Sequence, residues 1–84
     1  MPYSLNFSKH ALKELEKIND PYYSNIKQAI ANLTENPRPQ GYKKLKSRDG
    51  YRIRVSNYRI IYNIFDLQLI VDIITLGHRK DIYE

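Results

Sequence analysis

The apolar pattern of this chain changes period once, across the segment "NPRPQG" from Asn36 to Gly41, and that change limits the fold more than any other feature. Before it, apolar residues recur at helical spacing; after it, they alternate or run together and are rich in β-branched side chains. A proline disfavours helical geometry in the residue before it, so Pro37 and Pro39 end whatever helix reaches them. The chain therefore has a largely helical first half and a sheet-forming second half.

The elements follow from local signals. "YSLNF" (Tyr3 to Phe7) reads as a short strand. Ser8 suits an N-cap, with Phe7 and Leu12 at the two positions of a hydrophobic staple. The first helix is predicted from Lys9 to Ile18, with Ala11, Leu12, Leu15 and Ile18 as its apolar stripe. "NDP" breaks it. Asp20 is then a second N-cap with Pro21 at the first helical position, where its missing N–H costs nothing. The second helix runs to about Glu35, and Ile26, Ala29, Ile30 and Leu33 have the spacing of a buried face. "YKKLKS" suits an edge strand, because lysines discourage edge-to-edge pairing. "YRIRVS" alternates, and "YRIIYNIF" and "LQLIVDIITL" suit strands covered on both faces. Turns are expected at Asp49-Gly50, Ser56-Asn57 and Asp66-Leu67-Gln68. The expected fold is a small α+β domain over residues 1–84, in the order β-α-α-β-β-β-β, with an antiparallel sheet and a helical hairpin packed on one face.

A chain of 84 residues buries only about 60% of the surface its unfolded form exposes, so the core is modest. There are no cysteines, which removes disulfides and thiolate metal sites. No apolar run approaches the roughly 20 residues needed to span a membrane, and the start lacks the layout of a signal peptide. A cytoplasmic protein is expected. The net charge is +5, but its placement says more than its size. Arg38, Lys43, Lys44, Lys46, Arg48, Arg52, Arg54 and Arg59 fall within one segment that holds a single acid, Asp49. A local field of one sign suits a polyanion or an acidic protein partner.

Strand alternation turns part of that segment into a site. Residues i and i+2 share a face, so Arg52 and Arg54 point one way and Tyr51, Ile53 and Val55 the other. The apolar side must carry the helices. A two-residue turn at Ser56-Asn57 pairs Val55 with Tyr58 and Arg54 with Arg59, which adds a third guanidinium to the same face. Like charges directly opposite one another destabilise a sheet, so folding does not ask for this arrangement. An anion site does. A three-residue turn at Asp66-Leu67-Gln68 would align Arg59 with Thr75 and carry Thr75, Gly77 and Arg79 onto the arginine face. It would also turn His78 away. His10, on the first helix, reads as a solvated surface residue. Two distant histidines do not make a zinc site, and the isolated glycines do not make a phosphate loop. No paired carboxylates accompany the basic patch, which argues against two-metal nuclease chemistry. Of the eight tyrosines, Tyr51, Tyr58 and Tyr83 are candidates for stacking on a base, although Tyr51 and Tyr58 fit the core better.

With "YRIRV", "YRIIY" and "GHRKDIY" in this order and spacing, the whole chain resembles the RelE/ParE superfamily of bacterial toxin–antitoxin toxins, most closely its RelE branch. The resemblance implies a nuclease that cuts messenger RNA in the ribosomal A site without a metal or other cofactor. It also implies roles. Arg52 and Arg54 match two basic residues on the strand before the central hairpin, Arg59 a third that opens the next strand, and Arg79 a fourth after the last strand. Tyr83 matches a C-terminal tyrosine that stacks on a base. The best-known pattern has lysines where this chain has Arg52 and Arg54, and one of them is the proposed general base. An arginine, with a pKa above about 12, is a poor base. An imidazole has the right ordinary value, near about 6.5, which makes His78 worth testing.

The resemblance implies partners as well: a cognate antitoxin that folds as it wraps the toxin, the message, and the 30S ribosomal subunit. Neither membrane nor direct DNA binding is expected, since any operator contact would run through the antitoxin. The competing reading is a ParE-like inhibitor of DNA gyrase on the same fold. That branch generally lacks the arginine and tyrosine set, which favours the nuclease. A third reading is a nucleic-acid-binding module with no chemistry.

Overall fold

The computed structural model describes residues 2–78. Strand β1 (Ser4–Phe7) leads into helix α1 (Lys9–Glu16) and helix α2 (Tyr22–Leu33). A meander follows: β2 (Lys43–Lys44), β3 (Tyr51–Val55), β4 (Tyr58–Phe65) and β5 (Ile70–His78). The sheet order is β1-β5-β4-β3-β2. The meander is antiparallel throughout, but β1 joins β5 in parallel, so the sheet is mixed. The physical reason lies in the connection. The chain from β1 passes through both helices and all of β2 to β4 before β5 arrives beside it, and such a crossover allows a parallel partner.

Both helices cover one face. Ala11 and Leu15 of α1 and Ile26, Ile30 and Leu33 of α2 are buried against Ile53, Ile60, Tyr62, Ile64, Val71, Ile73 and Leu76. Leu12 lies outside this stripe, with 45% of its surface exposed. Helix α1 stops at Glu16, and Ile18 continues only as a turn through its N–H bond to the Leu15 carbonyl. Helix α2 starts one residue after Pro21, with Pro21 itself in the cap position. Asp20 nevertheless does a cap's work: its Oδ1 accepts from the Ser24 N–H at 2.9 Å and from the Ser24 hydroxyl at 2.6 Å. The Ser24 bonds hold the Asp20 carboxyl below the usual carboxylate range.

Register is where the structure departs most from expectation. The β4–β5 turn has four residues, Asp66 to Leu69, with Leu69 at a positive φ of 56°. One residue of β5, Ile74, is then left without a partner as the pairing shifts between Ile61 and Tyr62. Together these two changes place Arg59 opposite Gly77 and Ile61 opposite Thr75, instead of Arg59 opposite Thr75. The shift is two residues, so Thr75 and Gly77 stay on the arginine face. Ser8 holds the bulge. Its N–H bonds to the Ile73 carbonyl at 3.0 Å and its hydroxyl donates to the Ile74 carbonyl at 2.6 Å. The same oxygen accepts from the Ala11 N–H at 2.9 Å, so one serine caps α1 and ties it to the irregular point of β5.

Candidate active site

The hairpin β3–β4 has the register that the two-residue turn demands: Val55 faces Tyr58 and Arg54 faces Arg59. Ser56 takes a positive φ of 55°, which lets so short a turn close. Directly paired residues share a face. Lys43, Arg52, Ile61 and Thr75 therefore form one row across four strands, and Arg54, Arg59 and Gly77 form the next. Arg59 thus has as its β5 neighbour a residue with no side chain.

The three arginines are not equivalent. Arg54 is exposed, Arg59 is half-buried, and Arg52 retains only 3% of its surface. The Nε atoms of Arg52 and Arg59 are both buried. Ile61, beside Arg52 in the same row, is fully buried, and so is Leu45 to within 5%. Neither belongs to the core between sheet and helices. The face opposite the helices is therefore more than a solvated surface, and it packs at its centre. A guanidinium taken that far from water must be held by its surroundings, which leaves it fewer orientations and a more defined direction.

Arg52 and Arg54 line one cavity of about 370 Å³ at the open edge of β3, where the two-residue β2 ends. Lys43 lines it too, but so do the helix-side residues Ile53 and Val55 and Ala29 and Asn32 of α2, so this cavity wraps the edge of β3 and is not a cleft of the arginine face alone. Arg59 stands outside that lining but directly across from Arg54, about 5 Å away between strand backbones. The site thus has a fourth cation that the sequence reading had taken as an edge guard. Lys43 was recoverable in principle: placing β2 beside β3 in register sets Lys43 against Arg52. A two-residue strand gives no alternation by which to read that register.

Other candidates sort differently. Tyr51 and Tyr58 are half-buried and pack against the core. The Tyr51 ring lies 6.0 Å from Tyr42 and 5.9 Å from Tyr62, and Tyr58 lies 5.7 Å from Tyr22. His78 pairs with Tyr58 and sets its ring edge-on to it at 5.7 Å, so it stands on the helix side of the sheet. His10 is exposed on α1. Arg79 and Tyr83 lie outside the described residues. Among the described residues, no three His, Cys, Asp or Glu side chains gather as a metal site, and no helix is long and apolar enough to cross a membrane.

A helical pair on one face of a five-stranded sheet, with arginines gathered on the other, defines a small basic α+β domain with a one-sided cationic face. The family model described as the ParE toxin of type II toxin–antitoxin systems, parDE, matches residues 5–83, and the chain belongs to the RelE/ParE superfamily of these toxins. It is 32% identical over 82 residues to the mRNA interferase toxin RelE of Escherichia coli K12, covering 95% of this chain and 86% of that one. The archaeal RelE–RelB complex from Pyrococcus horikoshii OT3 matches with a TM-score of 0.84 at 25% identity, over 98% of this chain and all of the other. The intact E. coli RelBE toxin–antitoxin complex matches at 0.79 and 32% identity, over 90% and 95%.

Proposed function

We propose that this toxin is a metal-independent endoribonuclease that cleaves messenger RNA, in the ribosomal A site, by attack of the 2′-hydroxyl on the adjacent phosphorus. The observation that carries this reading is the row structure of the arginine face, with Arg52 and Arg54 two residues apart on β3 and Arg59 directly opposite Arg54. Cleavage forms a bond from the 2′-oxygen to phosphorus and breaks the bond to the 5′-oxygen. The products are a cyclic phosphate and a free 5′-hydroxyl. Negative charge accumulates on the phosphoryl oxygens in between. Guanidinium forks aimed at those oxygens lower the barrier, and each such donor contributes about 10²- to 10³-fold. Arg52, directed by its burial, orients the phosphate; Arg54 and Arg59 meet the developing charge. By resemblance, Arg79 joins them and Tyr83 stacks on a base to align the 2′-oxygen. His78 is on the wrong side of the sheet to take the proton, so charge stabilisation and alignment carry the rate.

The relatives solved as complexes with RelB support a cognate antitoxin here. An extended or helical segment of acidic character would suit the net charge of +5. Co-expression with the neighbouring reading frame should yield a stable complex that abolishes toxicity; a toxin inert on its own, with no complex, would contradict it.

The nuclease reading is tested by inducing the chain in a bacterium and mapping a reporter message by primer extension. Stops inside the reading frame should appear, and should vanish in Arg59→Ala and Arg79→Ala. Cleavage should persist in chelator when assayed on purified translating ribosomes. Intact messages with arrested DNA replication would instead establish the second reading, a ParE-like gyrase inhibitor, which the matched family description favours.

A further inference from the structure

Strand β3 is open along its outer edge at Arg54. The Leu45 N–H bonds to the Gly50 carbonyl at 3.0 Å, so Gly50 turns its backbone polar groups toward β2. Such groups point to alternate sides along an antiparallel strand, so Arg52, opposite Lys43, turns its own toward β2 as well. Arg54 is next in that series. The register would set Gly41 against it, but Gly41 has a φ of 91° and β2 begins only at Lys43. A turn closed by the Tyr42 N–H on the Pro39 carbonyl, at 3.0 Å, draws the chain away. Among the described residues, no strand therefore pairs with the N–H and C=O of Arg54 on that side.

These two groups lie at the cavity of about 370 Å³ that wraps the edge of β3, a volume suited to a small planar ligand. Ile53, Val55 and Pro39 give it an apolar lining. Asn32 of α2 lines the other side, and Gln28 steadies its amide by donating to the Asn32 Oδ1 at 2.9 Å. Space beside Gly41 is open, since a Cβ there would meet nothing within 4 Å. Arg54 thus serves two environments: its side chain stands on the arginine face, and its backbone faces the cavity. A nucleotide has the same two parts, an anionic phosphate and a flat base with donors and acceptors along its edge. An extended peptide fits less well. It needs a row of backbone pairs, and the edge offers one residue between the Lys43–Arg52 pair and the turn at Ser56-Asn57.

We propose that this cavity is a nucleobase pocket: the base of the nucleotide whose phosphate lies at Arg54 turns round the edge of β3, bonds to the Arg54 backbone and the Asn32 amide, and sets the sequence preference of cleavage. This rests on the nuclease reading. A base whose edge does not match leaves a desolvated donor or acceptor unpaired, so the pocket discriminates. Stacking on Tyr83 tolerates any base.

The test uses short fluorescein-labelled homo-oligonucleotides of A, C, G and U, fully 2′-O-methylated so that they cannot be cut, with an abasic strand of the same backbone. Wild type should bind its best base about tenfold more tightly than its worst, as one matched bidentate contact provides. Asn32→Leu fills the cavity from an exposed position on α2, on the side of the sheet away from the arginine face. It should bring the four bases to one affinity and leave abasic binding as in wild type. Asn32→Ala, which removes the amide and fills nothing, should narrow the spread in the same direction. Tyr83→Ala should weaken all four bases alike and keep their order. Matching thermal unfolding curves exclude misfolding. An unchanged spread in Asn32→Leu would overturn the proposal. So would a wild type with no spread; if Asn32→Leu then weakens only capture of a co-expressed antitoxin, the edge belongs to a protein segment. The two readings fail separately. Base discrimination without message cleavage removes the nuclease and keeps the pocket; cleavage whose base preference survives Asn32→Leu does the reverse.

Discussion

Arg38 and Arg54 are the same residue type in the same basic segment, and the fold treats them in opposite ways. Arg38 reaches across the top of the β4–β5 turn and grips Asp66 with both nitrogens, at 3.2 and 3.0 Å. Its guanidinium also lies 5.7 Å from the Tyr51 ring centroid, and Tyr3 donates its hydroxyl to the same carboxylate at 2.7 Å. Next to it, the Tyr62 hydroxyl donates to the Pro37 carbonyl at 2.6 Å in a buried bond. That corner joins the α2–β2 loop, β1 and the β4–β5 turn, and its charge is compensated. Arg54 is exposed, faces Arg59, and belongs to neither ion pair among the described residues. One arginine closes the fold; the other is kept available at some cost in stability. A count of basic residues cannot separate them.

That contrast can be broken by mutation, with the largest effect expected at the arginine face. Arg54→Ala and Arg59→Ala should each lower message cleavage by about 10²- to 10³-fold. The melting temperature of Arg54→Ala should hold or rise, since a like-charge opposition worth a few tenths to about 1 kcal/mol is relieved at an exposed position. A large fall in melting temperature would mean that Arg54 is structural, as Arg38 is. Arg52→Ala should do both kinds of damage: comparable loss of cleavage and roughly 2–3 kcal/mol of stability, because the side chain is buried. Urea unfolding alongside the primer-extension assay separates the two.

At the compensated corner the effects should be on stability alone. Tyr62→Phe leaves the Pro37 carbonyl without its donor and should cost about 1–2 kcal/mol, with toxicity intact at permissive temperature. Burial raises the Tyr62 hydroxyl pKa above its ordinary value, so the bond should survive to strongly alkaline pH. Away from that corner, at the start of α1, Ser8→Ala should cost about 1 kcal/mol through the lost cap. Because Ser8 also holds the Ile74 bulge, amide exchange in β5 should rise more than in α2. Asp66→Asn should have the smallest effect. The Arg38 hydrogen bonds, then that from Tyr3, hold the Asp66 carboxyl below the ordinary carboxylate range. A depressed value contributes stability that is fully present above the unfolded value, near about 4, and is lost as pH falls through the folded one. The variant should therefore melt slightly lower than wild type at neutral pH, and the two curves should converge in acid. A gap that persists below that range would mean that shape, and not charge, holds the corner.

The sequence by itself determined the element order, the Arg54–Arg59 pairing and the shared face of Arg52, Arg54 and Arg59. Each of these follows from a local rule: proline stops, the period-2 alternation of strands, and a two-residue turn whose geometry leaves one register. Other features were decided only in three dimensions. The parallel docking of β1 on β5 and the bulge at Ile74 depend on contacts between Ser8 and a strand more than sixty residues away. The pairing of Arg38 with Asp66 spans 28 residues. The burial of Arg52 and the arrival of Lys43 beside it depend on a strand too short to show a period. Local periodicity reports which way a side chain points from its own strand; which neighbour it meets, and how dry that meeting is, is set by packing between segments that no local pattern connects.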